Sequence, residues 1–273
     1  MRTMTESTRE AEEVADRNMQ KLVVTWQHPE SRDIFPIGVL AWDGQSYSFD
    51  YLSSVEGVED FRPLLGLKDT TRHYESAELF PIFQERVLDP RRPDYQRYVS
   101  DLRLDESSAS PWEQLTRSGG SSAGDTLQLY PTPVYDGILW TIRFLVNGVR
   151  YMTSKTVDVR GAVRGGYSDE ELEAVLASLH HGQPLSVVHE STNSKSPNAM
   201  LVLTAGDAPI GYVPNWLSRE VLPVVDDGVL RCVVDQVNPS EAGWHLRVLA
   251  LLEMSLPADY DFLAGERWQL ASA

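Results

Sequence analysis

The residues of this chain that could carry out chemistry lack the spacing that catalysis or metal binding requires. Four of the six histidines are scattered, and the other two, His180 and His181, are adjacent. On a helix, adjacent side chains point about 100 degrees apart and do not share a metal ion. No Gly-x-x-x-x-Gly-Lys stretch is present to hold nucleotide phosphates. We therefore expect no catalytic residue, no cofactor and no metal site.

The charge balance limits the partners that the chain can bind. Its 273 residues include 40 acidic and 24 basic side chains, which give a formal net charge of -16. Such an acidic protein opposes the diffuse attraction to phosphates that drives non-specific nucleic-acid binding, so any nucleic-acid contact has to be local. The single cysteine, Cys232, excludes a disulfide framework. No apolar run reaches the length of about 18 residues that a membrane span needs, and we expect a cytoplasmic protein without a membrane partner.

Hydrophobic periodicity divides the chain into two modules of an α+β protein. Alternating apolar residues at 22–26, 35–42 and 46–51 predict a three-stranded β-meander, and a helical period follows at 77–88. Chain breakers at 131–137 place the boundary near residue 135. The second half alternates short β-branched strands with two helices, which is typical of a small, partly closed β-barrel. The expected organisation is a polar tail (1–20), a meander with helices (21–135), a barrel domain (138–255) and a C-terminal tail (256–273).

The meander carries more aromatic side chains than it can bury by itself. Two places could cover them: the helices that follow in the same module, or a protein partner. The side chains concerned are Trp26, Phe35, Trp42, Tyr47, Phe49 and Tyr51.

Three segments of the second half resemble a known family. They read FLVNGVRY at 144–151, LSVVHESTNSKSPNAMLV at 185–202 and IGYVP at 210–214. With its Asn-x-x-x-x-Asn-Ala element before the Ile-Gly-Tyr-Val-Pro element, the region from about 140 to 253 resembles a HIRAN domain. The resemblance implies a small β-barrel, which in fork-remodelling helicases recognises single-stranded DNA at a free 3′ hydroxyl.

The same resemblance implies which residues contact nucleic acid. In DNA-binding HIRAN domains an Arg-Tyr pair after the first strand helps to form the pocket, and Arg150 and Tyr151 match that pair. Lys195 and Ser196 replace the Tyr-Asp pair of the second motif, so a ring for the terminal base and a carboxylate for the 3′ hydroxyl are missing. Each candidate also has a structural alternative. Arg150 and Tyr151 could only cover the mouth of the barrel, Lys195 could be a solvated side chain in a polar loop, and Asn198 could bond the local backbone in a turn. The candidate nucleic-acid-binding residues are Arg150, Tyr151, Lys195, Asn198 and Tyr212.

The first half resembles the N-terminal subdomain of HipA-type kinases. The similarity lies in GVL at 38–40, YSFDY at 47–51, FRPL at 61–64 and LFPIF at 79–83. The kinase core is absent from this sequence, so kinase activity is not implied. We therefore predict a non-enzymatic, bacterial accessory protein that binds single-stranded DNA or DNA ends in DNA processing or repair. The alternative is a protein-interaction module, such as a regulator of a HipA-type kinase toxin, which binds a protein partner through its N-terminal module and does not contact DNA.

Overall fold

A computed structural model describes residues 20–31, 33–120, 126–225 and 229–272 of the chain. Except for Gln20, the polar tail predicted at 1–20 lies outside these described residues. The described α-helices are α1 (Pro81–Gln84), α2 (Tyr95–Asp101), α3 (Pro111–Ser118), α4 (Asp169–Ala177) and α5 (Asn215–Val221). The described strands are β1 (Gln20–Gln27), β2 (Ile34–Trp42), β3 (Tyr47–Tyr51), β4 (Tyr74–Ser76), β5 (Leu127–Pro131), β6 (Val134–Tyr135), β7 (Trp140–Leu145), β8 (Thr156–Val159), β9 (Ala162–Gly165), β10 (Pro184–His189), β11 (Met200–Thr204), β12 (Pro209–Tyr212), β13 (Val229–Val237) and β14 (Val248–Ser255).

The chain divides into two compact units, each assembled from separate stretches. Of the described residues, unit 1 comprises those within 1–89, 110–132 and 263–273, and unit 2 comprises those within 90–109 and 133–262. Both units combine helices with antiparallel strands, which confirms the mixed α+β class. No helix in the described part of the chain has the length and apolar character needed to cross a membrane.

Unit 1 is built on an open sheet with the strand order β4-β3-β2-β1-β5. Its first three strands pair antiparallel in chain order, with Leu40 opposite Leu22 on one side and Phe49 on the other, which confirms the predicted meander. The meander aromatics pack on helices of the same unit, because the Trp42 ring lies 5.9 Å from Trp112 of α3 and the Phe49 ring lies 5.6 Å from Phe83 of α1.

Two segments of unit 1 differ from the sequence-based expectation. The helix predicted at 77–88 is α-helical over only the four residues of α1. The segment 256–273 was expected to be a tail, but its last part packs on unit 1: Leu270 forms an antiparallel bridge with Leu52, and the Ala271 amide donates to the Tyr51 carbonyl at 2.8 Å. Trp268 is 5% exposed in the same cluster. These partners lie far apart in the sequence, so no local pattern signals their pairing.

Unit 2 is built on a seven-stranded antiparallel sheet in the order β12-β11-β10-β13-β14-β7-β6, with β8 and β9 as a separate hairpin. The two helices expected in this half are α4 and α5, and α4 begins with a capping box between Ser168 and Glu171. The segment 90–109, which was assigned to the first module, belongs to unit 2. The side-chain amides of Gln236 and Asn238 donate to the Asp101 carbonyl at 3.0 and 2.7 Å, and this fastens α2 to the end of β13.

The predicted β-barrel is wrong, because the seven-stranded sheet is open. One isolated bridge links Asn147, just beyond β7, to Tyr212 of β12. Each residue donates its amide to the carbonyl of the other, at 2.9 and 2.8 Å. Pairing stops there because Gly148 turns the chain with a φ of 67° into the 3-10 helix Arg150–Thr153. A single residue pair does not make the ladder that closes a barrel.

Candidate nucleic-acid interface

The bridge between Asn147 and Tyr212 positions the candidate residues of the first motif. It depends on Gly211, whose φ is 142° and whose missing Cβ would lie 2.5 Å from the Asn147 carbonyl oxygen. Only glycine permits such a close approach of two backbones. Arg150 and Tyr151 therefore begin the 3-10 helix directly beside the end of β12.

Tyr151 and Tyr212 are brought together by Lys155, which follows the 3-10 helix. The Lys155 ammonium lies 5.8 Å from the ring centroid of Tyr151 and 5.1 Å from that of Tyr212. It also donates to the Tyr212 hydroxyl at 2.7 Å. The distance to the Tyr151 ring is that of a cation–π contact, whereas the contact with Tyr212 is the hydrogen bond to its hydroxyl. Tyr151 is 49% exposed, so its ring contacts Lys155 and is still reachable from solvent.

A buried carboxylate, that of Glu190, balances the Lys155 charge. The ammonium lies 3.0 Å from Glu190 Oε1, and Oε2 accepts from the Tyr212 hydroxyl at 2.8 Å and from the Asn193 amide at 2.6 Å. Burial opposes ionisation of Glu190, but the hydrogen bonds from Asn193, Lys155 and Tyr212 outweigh it and lower its pKa. Burial and the adjacent Glu190 carboxylate raise the pKa of Tyr212 far above its ordinary value. The network therefore holds Glu190 as an ionised carboxylate and Tyr212 as a neutral phenol.

Asn193 connects this network to the loop that carries Lys195. Its side-chain oxygen accepts from the amides of Lys195 and Ser196 at 2.9 and 3.0 Å, an arrangement that asparagine favours in turns. Ser196 in turn donates to the Asn215 side chain at 2.8 Å. The loop backbone is thus fixed on both sides while Lys195 itself is exposed.

The sequence-predicted residues differ in how closely they join this site. Tyr151 and Tyr212 meet through Lys155, and Lys195 is attached through Asn193. Arg150 is exposed at the start of the 3-10 helix. Asn198 is half-buried, and among the described residues no side-chain hydrogen bond joins it to the network or to the local backbone.

Sequence reasoning missed three members of the network, Lys155, Glu190 and Asn193. Asn193 is the first asparagine of the Asn-x-x-x-x-Asn-Ala element, so the motif itself contained that signal. Glu190 and Lys155 carry no comparable signal, because the ion pair joins residues 35 positions apart. Within the described residues, no group of three or more His, Cys, Asp or Glu side chains is placed to hold a metal ion.

Comparisons with known proteins concern the second half of the chain. The family model described as the HIRAN domain matches residues 141–256, which supports the predicted HIRAN domain over that range. The resemblance of the first half to HipA-type kinases stays a prediction. No curated protein sequence matches the chain.

Two solved structures show similarity to part of the chain. The HIRAN domain of human HLTF is 17% identical, with 44% of this chain and 79% of that chain covered and a TM-score of 0.27. A Lactobacillus plantarum protein is 21% identical, with 42% of this chain and 92% of that chain covered and a TM-score of 0.30. The family model supports a HIRAN domain at residues 141–256, which lie within unit 2.

Proposed function

We propose that the HIRAN domain of this chain binds single-stranded DNA and that the protein is a non-catalytic accessory in DNA processing or repair. The proposed surface consists of Arg150, Tyr151, Lys195 and the Tyr212 hydroxyl network. The observation that carries the proposal is the half-exposed Tyr151 ring, whose centroid lies 5.8 Å from the Lys155 ammonium, within the segment that matches the HIRAN model.

Single strands suit this surface because stacking does not depend on a basic patch. An exposed aromatic ring offers a face to any unpaired base, whereas a net charge of -16 repels the regular phosphates of a duplex. Glu190 already compensates Lys155, so Lys155 contributes little to phosphate attraction. The cations that remain are Arg150 and Lys195, both exposed and without a side-chain hydrogen bond or ion pair to any described residue.

The second motif leads us to propose that the surface does not select a free 3′ end. Lys195 and Ser196 stand where the family pocket has its Tyr-Asp pair. The buried carboxylate of Glu190 does not replace the missing aspartate, because Lys155, Tyr212 and Asn193 already occupy its oxygens. We expect similar affinities for a 3′-hydroxyl and a 3′-phosphate end.

Fluorescence anisotropy with labelled oligonucleotides tests the proposal. Because loss of a stacking ring costs about 1–3 kcal/mol, Tyr151→Ala should weaken binding roughly 5- to 150-fold. Tyr151→Phe keeps the ring face and should bind within about twofold of wild type. Two phosphate contacts predict a log-log salt slope of about -1.4 for single strands, and Arg150→Gln should make it shallower by about 0.7. Arg231→Gln, which removes an arginine already paired with Glu253, is the matched control.

Duplex, 3′-hydroxyl and 3′-phosphate oligonucleotides complete the experiment. We expect single strands to bind better than duplexes and both 3′ ends to bind alike. Absence of binding to every oligonucleotide at tens of micromolar protein would overturn the proposal. That result would favour the protein-interaction alternative, with a partner bound through the N-terminal module.

A further inference from the structure

Two arginines from distant parts of unit 2 converge on one buried carboxylate, that of Asp235. Asp235 lies at the irregularity of β13 between Val234 and Gln236, and its side chain is 3% exposed. Arg103 donates from Nη1 to Oδ1 at 2.5 Å, and Arg143 donates from Nε to Oδ2 at 3.0 Å. The side chains of these two arginines, here called the arginine pair, are 42% and 43% exposed.

The arginine pair carries more charge than its partner neutralises. In the described part of the chain, Asp235 is the single carboxylate within 4.0 Å of either guanidinium group. One negative charge opposes two positive charges, which leaves an excess of one in a strongly acidic protein. A guanidinium has five N–H donors, and Arg143 uses only Nε here while Arg103 uses only Nη1. The remaining N–H groups of both side chains are available to a ligand.

The backbone at Arg103 has a conformation that is uncommon for a residue with a side chain. Arg103 follows the C-cap Leu102 of α2 and has a φ of 55°. This left-handed position after a helix is one that glycine occupies at lower cost. His181 adds a further polar group at the same place, with Nδ1 2.8 Å from the Asp235 carbonyl oxygen.

We propose that the arginine pair is a phosphate-binding site, separate from the Tyr151 surface and independent of the proposed DNA-binding function. Two guanidinium groups with free N–H donors match the oxygens of a phosphate group, which arginine binds through paired hydrogen bonds. Asp235 acts as the positioning residue, because it fixes both guanidinium groups at the same point. The phosphate can belong to a small anion or to a nucleic-acid backbone.

Nuclear magnetic resonance of the full chain tests the site. The Nε–H signals of Arg103 and Arg143 are assigned from Arg103→Gln and Arg143→Gln and followed as inorganic phosphate is added, with sodium chloride at matched ionic strength as the control. We expect saturable shifts with a Kd on the order of 1–10 mM, specific to phosphate. Arg143→Gln should weaken phosphate binding at least about fivefold, since it removes one of two fork-shaped donors. Arg97→Gln, an equal change of charge at an exposed position of α2, should stay within about twofold.

A second arm separates the two sources of phosphate. Oligonucleotide binding is measured on Tyr151→Ala with and without Arg143→Gln. A further loss with Arg143→Gln supports the site and assigns the nucleic-acid backbone as its ligand; no further loss, with the phosphate shifts retained, supports the site and assigns a small phosphate. Absence of saturable shifts up to about 50 mM phosphate, equal shifts with chloride, or an equal effect of Arg97→Gln would overturn the proposal. The phosphate titration does not depend on whether Tyr151 binds DNA.

Discussion

Replacing Gly211 with alanine should destabilise unit 2 and disturb the candidate interface together. The φ of Gly211 is 142°, and an added Cβ would lie 2.5 Å from the Asn147 carbonyl oxygen and 2.7 Å from Val146 Cγ1. The first neighbour is backbone, so it can move away only if the bridge between Asn147 and Tyr212 opens. The two hydrogen bonds of that bridge, at 2.9 and 2.8 Å, would then lengthen or break.

The expected loss follows from these two effects. A residue with a side chain in a sparsely populated backbone region costs about 1–3 kcal/mol. Two weakened backbone hydrogen bonds add about 0.5–1.5 kcal/mol each. The total is roughly 2–6 kcal/mol, which for a unit of this size lowers the Tm by roughly 4–24 °C.

Thermal unfolding followed by circular dichroism measures this change, and Gly206→Ala is the matched control. Gly206 lies in the turn between β11 and β12, and its added Cβ would have only Thr204 Oγ1 as a neighbour, at 3.8 Å. The control should melt within a few degrees of wild type, at a cost below about 1 kcal/mol. If Gly211→Ala melts as the control does, the close approach of β12 to residue 147 is refuted. Anisotropy on the same variant should show weaker oligonucleotide binding, because Tyr212 loses its bridge.

Three further predictions concern single buried groups. The pKa of Glu190 is lowered in the folded protein, so its ionised network stabilises the fold at pH values above the unfolded pKa near 4.3, and this stability is lost as the pH falls through the folded pKa. The difference in unfolding free energy between wild type and Glu190→Gln, measured by urea unfolding, should therefore narrow below about pH 4.3. A difference that stays constant with pH would contradict this prediction. Tyr51→Phe leaves the Leu64 amide and the Leu67 carbonyl, now bound at 2.7 and 2.8 Å, without their buried partner, and should cost about 1–3 kcal/mol in the same assay; an unchanged midpoint would show that water replaces the hydroxyl. Burial raises the pKa of the Cys232 thiol to about 12, so a disulfide reagent at pH 8 should react with it only after denaturation, and rapid reaction of the native protein would show that β13 opens.

Local signals in the sequence determined much of the framework. Alternating residues predicted the meander of β1, β2 and β3, because the two faces of a strand alternate in burial. Ser110 caps the start of α3 by accepting from the Glu113 amide, and Gly119 ends that helix in the left-handed conformation, as their residue types favour. The short motifs around Asn147, Asn193 and Gly211 were enough for the HIRAN resemblance that the family model supports at 141–256.

Tertiary structure decided where those elements end and whether the sheet of unit 2 closes. The helical period at 77–88 predicted a long helix, but only α1 forms, and the Leu88 amide that would continue it donates instead to the Gln114 side chain at 2.9 Å. Alternating apolar residues in the second half correctly predicted β-strands. The sheet that these strands form is nevertheless open, because the turn at Gly148 ends the pairing of residue 147 with β12 after one residue pair. Local pattern reports which face is buried and not which strand lies beside it.

The candidate site shows the same division. Its exposed members, Arg150, Tyr151 and Lys195, could be selected from the sequence because each of them lies within a short continuous motif. The groups that hold them in place could not, because Lys155 meets Glu190 across 35 positions and Arg103 meets Asp235 across 132. A charged side chain looks the same in sequence whether water or a buried counter-ion surrounds it. Only the fold brings these partners within hydrogen-bond distance, and burial then makes their pairing obligatory.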